Sequence, residues 1–76
     1  MTVLSLRSPL VGTVVAVKVA VGDVVAAGAE IVVIESMKME LHVKALFDGT
    51  LEEILCKVGD MVERHQILAI MEPNLH

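Results

Sequence analysis

The stretch IVVIESMKMELHVKA, residues 31–45, decides the fold of this 76-residue chain. Its first four residues, Ile31–Ile34, are all β-branched and predict a largely buried strand. Its last five residues, 41–45, alternate apolar and polar side chains and predict a strand with one face in water. Strands this close along the chain need a tight turn between them. We therefore predict a hairpin with Met37 and Lys38 at or beside its tip.

The residues at this tip are unusual for a tight turn. Such turns favour Asn-Gly, Asp-Gly or a Gly pair, because their central residues need positive φ, and none of these pairs lies between residues 35 and 40. A lysine is most often a solvated surface charge, and a methionine is most often a core filler. Strand alternation predicts that Met37 and Met39 share one face and that Lys38 points to the other. We interpret Lys38 as an outward amine between apolar side chains that another protein can contact, which is typical of a modification site.

The chain contains an internal repeat. A shift of 37 positions aligns Gly12-Thr13 with Gly49-Thr50, and Val21-Gly22-Asp23 with Val58-Gly59-Asp60. Gly12 coincides with Gly49 and Gly22 with Gly59, which a merely valine-rich composition does not explain. We predict one domain over residues 1–76, built from related halves of about 1–37 and 38–76, with Lys38 at their junction.

Each half is predicted to supply four strands. The Gly-Asp pairs, Gly28 and Pro9 mark strand ends, because these residues favour turns or cannot donate to a ladder. The predicted strands are Thr2–Arg7, Gly12–Val19, Val24-Val25, Glu30–Glu35, Glu40–Ala45, Gly49–Cys56, Met61-Val62 and Gln66–Met71. Two four-stranded sheets that bury their apolar faces against each other give an all-β flattened barrel or sandwich with an internal pseudo-twofold repeat. This symmetry predicts the central hairpin at one end and both termini near the other.

Composition restricts the classes of function. The chain is 55% hydrophobic with one aromatic residue, Phe47, so small aliphatic side chains must build its core. No apolar run reaches the ~18 residues of a membrane span, and no secretory leader is recognisable. A net charge of −4 argues against nucleic-acid binding. We therefore expect a cytoplasmic protein with no nucleic-acid partner and no membrane insertion.

Few residues are candidates for catalysis or metal binding. The single cysteine, Cys56, cannot form an internal disulfide and is interpreted as a small buried apolar group. His42, His65 and His76 lack metal-ligand spacing. No Ser-His-Asp or Cys-His set is recognisable. We predict neither a metal site nor an enzyme active site.

Met37-Lys38-Met39, preceded by Glu35 and followed by Glu40, resembles the biotin attachment motif of the biotinyl/lipoyl carrier domain family. Ser36 stands where that family usually has Ala, and both residues are small. Related lipoyl carriers surround their lysine with Asp and Ala, and because that pattern is absent here, biotin is favoured over lipoate. The resemblance covers nearly the whole chain and implies the same flattened β-barrel.

The resemblance implies a biotin carboxyl carrier, a non-catalytic part of a carboxylase that acts on an acyl-CoA or a 2-oxo acid. A biotin protein ligase would attach biotin to Lys38. A biotin carboxylase would load carboxylate from bicarbonate with ATP, and a carboxyltransferase would pass it to the acceptor. Met37 and Met39 would be recognition contacts, and the remaining tip residues would shape their surroundings: Glu35, Ser36 and Glu40.

Three alternatives remain open. A lipoyl carrier of an oxo-acid dehydrogenase would have the same fold with another cofactor. A biotin carrier of a membrane decarboxylase would differ in its partner subunits. A non-modified interaction domain would use the exposed Met-Lys-Met tip to bind a partner. Since only Pro73–His76 follow the last apolar strand, we also expect a free-standing subunit.

Overall fold

Eight β-strands build the fold in a computed structural model that describes residues 3–74. They are β1 Leu4–Arg7, β2 Gly12–Val17, β3 Val24–Val25, β4 Glu30–Ser36, β5 Met39–Lys44, β6 Gly49–Ile54, β7 Met61–Val62 and β8 Ile67–Pro73. Within residues 3–74, no helix is long and apolar enough to cross a membrane.

The strands form two antiparallel sheets of four, in the orders β1-β8-β6-β3 and β5-β4-β2-β7. The two orders correspond strand by strand: β1 to β5, β8 to β4, β6 to β2 and β3 to β7. Corresponding strands are four places apart in the chain. Each sheet therefore contains strands from both halves of the chain, and the pseudo-twofold relation runs through the whole fold. The predicted fold class, an all-β sandwich with an internal repeat, is confirmed.

The core lies between the sheets and is aliphatic. β4 is buried at four consecutive residues, Ile31–Ile34, as the β-branched run predicts. Phe47 only packs against the edge of the core. Burying one such aliphatic side chain contributes about 1.5–3 kcal/mol. The largest fully buried apolar side chains are Ile31, Ile34, Leu51, Leu68, Met71, Val14, Val32 and Val62.

Several strand ends differ from their predicted positions. β2 and β6 end two residues early, at Val17 and Ile54, because the chain then approaches two tight turns. β4 continues through Ser36 and β5 runs Met39–Lys44, so ladder pairing extends further toward the tip than predicted. β8 runs Ile67–Pro73 rather than 66–71. β1 begins at Leu4, and its predicted start at residue 2 lies outside the described residues.

Two equivalent turns precede β3 and β7. Gly22 and Gly59 have φ values of 93° and 97°, a left-handed conformation that glycine adopts without steric cost. The Asp23 carboxylate accepts the Ala20 backbone N–H at 2.9 Å. The Asp60 carboxylate accepts the backbone N–H three residues earlier at 3.0 Å. These turns confirm the roles predicted for the Gly-Asp pairs.

Gly12 and Gly49 permit a close approach that the sequence did not predict. A β-carbon at Gly12 would lie 2.6 Å from the Glu35 carbonyl oxygen, and one at Gly49 would lie 2.6 Å from the Glu72 carbonyl oxygen. Real β-carbons do not approach that closely, so only glycine lets β2 and β6 lie against β4 and β8 here. Gly12 consequently fixes the position of β4 just before the hairpin tip.

The central hairpin and the described chain end lie at opposite ends of a domain measuring 40 × 18 × 17 Å. At the base of the hairpin, the Gly28 N–H donates to the Ala45 carbonyl at 2.7 Å. Three residues after Ala45, the Asp48 carbonyl accepts the Asn74 backbone N–H at 2.9 Å. We call the end at residues 36–39 the tip pole and the end at Asp48 and Asn74 the terminal pole.

We expect Gly22→Val and Gly59→Val each to lower the free energy of unfolding by about 1–2 kcal/mol. Nothing lies within 4 Å of a β-carbon added at either glycine, so the loss comes from backbone conformation alone. Asn variants serve as controls and should lose less, because Asn tolerates the left-handed region better. Urea denaturation measures the effect, and neutral Val variants, or a loss at only one site, would contradict equivalent turns.

Candidate modification site

The β4–β5 hairpin positions the candidate site. The ladder pairs Ser36 with Met39 and leaves Met37 and Lys38 as a two-residue connection. These two residues have φ values of 50° and 67°, the left-handed region that a type I′ hairpin turn requires at both central positions. For residues other than glycine this conformation costs roughly 1–2 kcal/mol each. The paired, core-anchored strands on either side must therefore hold the turn in place.

Both methionines are exposed, as predicted. Met37 retains 92% of its accessible surface and Met39 retains 72%, so neither is a core residue. The prediction that the two methionines share one strand face is wrong, however, because the alternation of an extended strand does not reach Met37. Met37 and Lys38 both belong to the turn, while Met39 begins β5. The methionines thus flank Lys38 at a bend of the chain, not along one face of a strand.

Lys38 is exposed at the apex of this hairpin. Every ion pair found among residues 3–74 involves His42, so none holds the Lys38 ammonium. The other lysines lie elsewhere: Lys18 follows β2, Lys44 ends β5 and Lys57 begins the turn before β7. Among them only Lys38 combines an apical position with exposed apolar neighbours on both sides. Its amine is therefore placed for reaction with a carboxyl group held by another protein.

Two carboxylates flank the turn. Glu35 and Glu40 are direct partners across the β4–β5 ladder, and both are exposed. Like charges placed directly opposite each other destabilise a sheet, so their pairing is not explained by stability. Ser36, half-buried, is the last residue of β4 before the turn. The structure thus brings together all six residues that the sequence predicts for the site.

His42 connects the base of the hairpin to the tip. Its Nδ1 lies 2.8 Å from Oε1 of Glu30, and its Nε2 lies 3.7 Å from Oε1 of Glu40. Because a carboxylate can only accept, Nδ1 carries the hydrogen. This hydrogen bond, opposed by partial desolvation and assisted by the nearby lysines, holds the pKa of Glu30 below its ordinary value of 4.5. Sequence reasoning missed the contact, because it depends on the strand register.

Cys56 is buried, as interpreted from the sequence. Burial, and next the nearby Asp60 carboxylate, raise the pKa of its thiol, which disfavours the reactive thiolate. Across the described residues 3–74, no group of three His, Cys, Asp or Glu side chains could hold a metal ion. The chemistry that the site offers is that of one presented amine with apolar and acidic neighbours.

Comparison with known proteins gives consistent matches. A family model described as "Biotin-requiring enzyme" matches residues 4–71. The mitochondrial propionyl-CoA carboxylase alpha chain of Homo sapiens is 48% identical over 67 residues, which cover 88% of this chain and 9% of that protein. A protein of Mycobacterium leprae named "Biotinylated protein TB7.3 homolog" is 34% identical over 65 residues, which cover 86% of this chain and 92% of that protein.

A solved structure is also similar. The structure of a single-chain, multi-domain long-chain acyl-CoA carboxylase aligns with a TM-score of 0.91 and 32% sequence identity. The alignment covers 95% of this chain and 7% of that chain. This chain therefore spans less than a tenth of these carboxylases, but nearly all of the M. leprae protein.

Replacing both Met37 and Met39 by Ala should change the free energy of unfolding by about 0.5 kcal/mol or less, because little buried surface is removed. Chemical denaturation of the double variant measures this change. If the methionines were core residues, each truncation to Ala would instead lower the free energy of unfolding by ~2–5 kcal/mol. A loss of that size threatens the stability of a domain this small. A loss of that size would contradict their exposed placement.

His42→Leu should raise the pKa of Glu30 toward 4.5, because the hydrogen bond to its carboxylate disappears. Since the folded-state pKa lies below the unfolded value, this contact stabilises the fold above pH 4.5. That contribution is lost as the pH falls through the folded-state pKa. Carbon-13 NMR titration of the carboxyl group measures the shift, with His42→Gln as a control that keeps a donor. An unchanged Glu30 midpoint in His42→Leu would refute the assignment.

Proposed function

This chain belongs to the biotinyl/lipoyl attachment domain family, and on that premise we propose that it is a biotin carboxyl carrier with biotin joined to Lys38. The family predicted from the sequence is confirmed, and biotin is confirmed as its cofactor. One observation supports the choice of residue: of the four lysines, Lys18, Lys38, Lys44 and Lys57, only Lys38 lies in the two-residue turn, between exposed methionines. The names of the relatives favour biotin over lipoate, the nearest alternative.

The Lys38 side chain fits a covalent acyl group. Its amine is exposed and engages no carboxylate among residues 3–74, so no contact must be broken before it reacts. Nζ gives up one proton before it attacks an activated carboxyl carbon, and it loses a second as the C–N bond forms and the activating group leaves. The product is an uncharged amide on a flexible side chain. The attached biotin supplies a ureido nitrogen that carries carboxylate from donor to acceptor.

The flanking residues have distinct proposed roles. Met37 and Met39 offer flexible apolar side chains that adapt to more than one partner surface. Glu35 and Glu40 place negative charge beside the turn and steer partners with basic surfaces toward it. Ser36, paired with Met39, closes the ladder immediately before the turn.

We propose three enzyme partners for this carrier. A biotin protein ligase forms the amide, a biotin carboxylase delivers carboxylate, and a carboxyltransferase removes it. Each must reach the same lysine, and a site at one end of a 40 Å domain leaves the surrounding space open for them in turn. We propose an acyl-CoA as the acceptor because the propionyl-CoA carboxylase alpha chain is 48% identical to this chain. A 2-oxo acid is the alternative, because a pyruvate carboxylase of Staphylococcus aureus is 36% identical over 80% of this chain.

Lys38→Arg should fold normally and gain no biotin when it is coexpressed with a biotin protein ligase, because arginine keeps the charge but cannot form the amide. Intact-mass spectrometry with peptide mapping measures the modification. Lys44→Arg, at the far end of β5, is the matched control and should be biotinylated like the wild type. Biotin on the Lys38→Arg protein would refute the assignment.

A further inference from the structure

The methionines within residues 3–74 fall into two groups by exposure. Met37, Met39 and Met61 keep 92%, 72% and 78% of their accessible surface, whereas Met71 keeps 0%. A small oxidant reaches a thioether sulfur only where the side chain is exposed, and methionine sulfoxide is a common product of that contact. Two of the three exposed sulfurs therefore lie at the residues on either side of Lys38.

The fold does not require an apolar side chain at the turn. Positions 37 residues apart are equivalent in the two sheets, and Met37 corresponds to Asn74, a polar residue. Met71 corresponds to Ile34, and both are fully buried. Apolar character is thus common to the two halves in the core but not at the turn. A polar side chain at position 37, such as a sulfoxide, is therefore compatible with the fold.

We propose that Met37 and Met39 form an oxidation site that controls the attachment of biotin to Lys38. A peroxide converts both thioethers to sulfoxides, and the oxidised turn accepts biotin more slowly. The inference rests on the proposed function and deepens it by adding a redox control to the same site.

Each oxidation is a two-electron step. A sulfur lone pair attacks one oxygen of hydrogen peroxide, and an S–O bond forms as the O–O bond breaks. The other oxygen leaves as hydroxide and takes the proton from the first to become water, so the sulfur is oxidised and the peroxide is reduced. Methionine sulfoxide reductases reverse the change with a dithiol as reductant, which becomes a disulfide as the sulfoxide oxygen leaves as water.

Attachment is the step that the sulfoxides affect most directly. A ligase must bring an activated carboxyl carbon within bonding distance of Nζ of Lys38, so its surface must lie against the neighbouring turn residues. Biotin carboxylase and carboxyltransferase act instead on the ureido ring, which the side chains of lysine and biotin hold away from the turn. A ligase surface that receives a thioether in an apolar contact leaves a sulfoxide oxygen without its water and without a donor.

The fold is expected to tolerate the change. The turn is held by the ladder pair of Ser36 with Met39 and by the buried residues of β4, and neither turn methionine is among the described core residues. Met71 lies inside that core and is protected unless the domain unfolds. The oxidation state of Met71 therefore reports whether peroxide has unfolded the protein.

Met61 provides a matched control. Thr13 pairs with Glu35 on one side and with Met61 on the other, which places Met61 on the face of Glu35, about 10 Å from β4 across two strand spacings. Met39 pairs with Ser36 and points to the opposite face. Met61 is thus as open to peroxide as the turn methionines, but β2 separates it from the β4–β5 hairpin.

The test uses protein without biotin, so that the sulfur of biotin itself is not oxidised. Wild type, Met37→Leu/Met39→Leu and Met61→Leu are treated with hydrogen peroxide, and catalase then removes the excess. Leucine keeps an apolar side chain without a sulfur. Peptide mapping by mass spectrometry measures the sulfoxide at each methionine and verifies that Cys56 is still a thiol. Ligase kinetics follow with purified ligase, biotin and ATP, and each protein is compared with its own untreated sample.

Peroxide should oxidise Met37 and Met39 while Met71 stays reduced. It should lower kcat/KM for biotin attachment to the wild type about tenfold, the size of effect that an unpaired polar group has in a contact. Reductases for both sulfoxide epimers, with dithiothreitol, should restore the rate. Met61→Leu should lose activity like the wild type, whereas Met37→Leu/Met39→Leu should stay within about twofold of its own untreated value.

Three results would overturn the proposal. They are an undiminished rate for wild type with both turn methionines oxidised, an equal loss in Met37→Leu/Met39→Leu, and oxidation of Met71 as rapid as that of Met37. If the double variant is too slow to assay untreated, oxidised Met61→Leu decides, because its exposed sulfurs within residues 3–74 are those of the turn. A rate that stays low after those sulfoxides are reduced would refute the redox control.

Two outcomes separate this inference from the proposed function. An untreated wild-type protein that gains no biotin would refute the carrier function and, with it, the redox control. Equal attachment before and after peroxide would refute the redox control alone and leave the carrier function intact.

Discussion

The two-residue connection between β4 and β5 is the constraint on which the rest of the structure depends. Pairing of Ser36 with Met39 leaves only Met37 and Lys38 to reverse the chain. Both must therefore adopt left-handed conformations that are unfavourable for residues with a β-carbon. The turn persists because β4 is buried along Ile31–Ile34 and paired on both sides. Core packing thus holds an exposed lysine in a defined place, and no ion pair found within residues 3–74 involves its side chain.

The two sheets are built in the same way around their central strands. β4 and β8 are equivalent central strands, and each is approached closely at a glycine, Gly12 or Gly49. The terminal pole carries a backbone hydrogen bond between Asp48 and Asn74, and apolar side chains are exposed at both poles: Met37 and Met39 at the tip pole, Val24 and Leu46 at the terminal pole. One scaffold is therefore used twice, and its tip pole carries Lys38 in a two-residue turn.

Much of this could be predicted from the sequence. The β-branched run Ile31–Ile34 and the repeated Gly-Asp pairs predict the buried strand and its turns, since each depends on local preference. The close approach at Gly12 and the contact between Glu30 and His42 depend on register, which no local pattern reports.

The strand register also determines at which residues strand alternation no longer predicts the direction of a side chain. Strand alternation failed at Met37 because ladder pairing ends at Ser36. The left-handed conformation of His65, with a φ of 71°, was likewise missed. Its signal lay in the repeat, since His65 aligns with Gly28, whose φ is 90°. Comparing the two halves position by position would have found it.

The central claim is that biotin on Lys38 carries carboxylate between enzymes. It is tested most directly by incubating the fully biotinylated protein with biotin carboxylase, ATP and isotopically labelled bicarbonate. The account predicts label on the protein in proportion to its biotin, and release of that label when a carboxyltransferase and an acyl-CoA acceptor are added. A fully biotinylated protein that acquires no label, under conditions in which the same carboxylase labels free biotin, would contradict it.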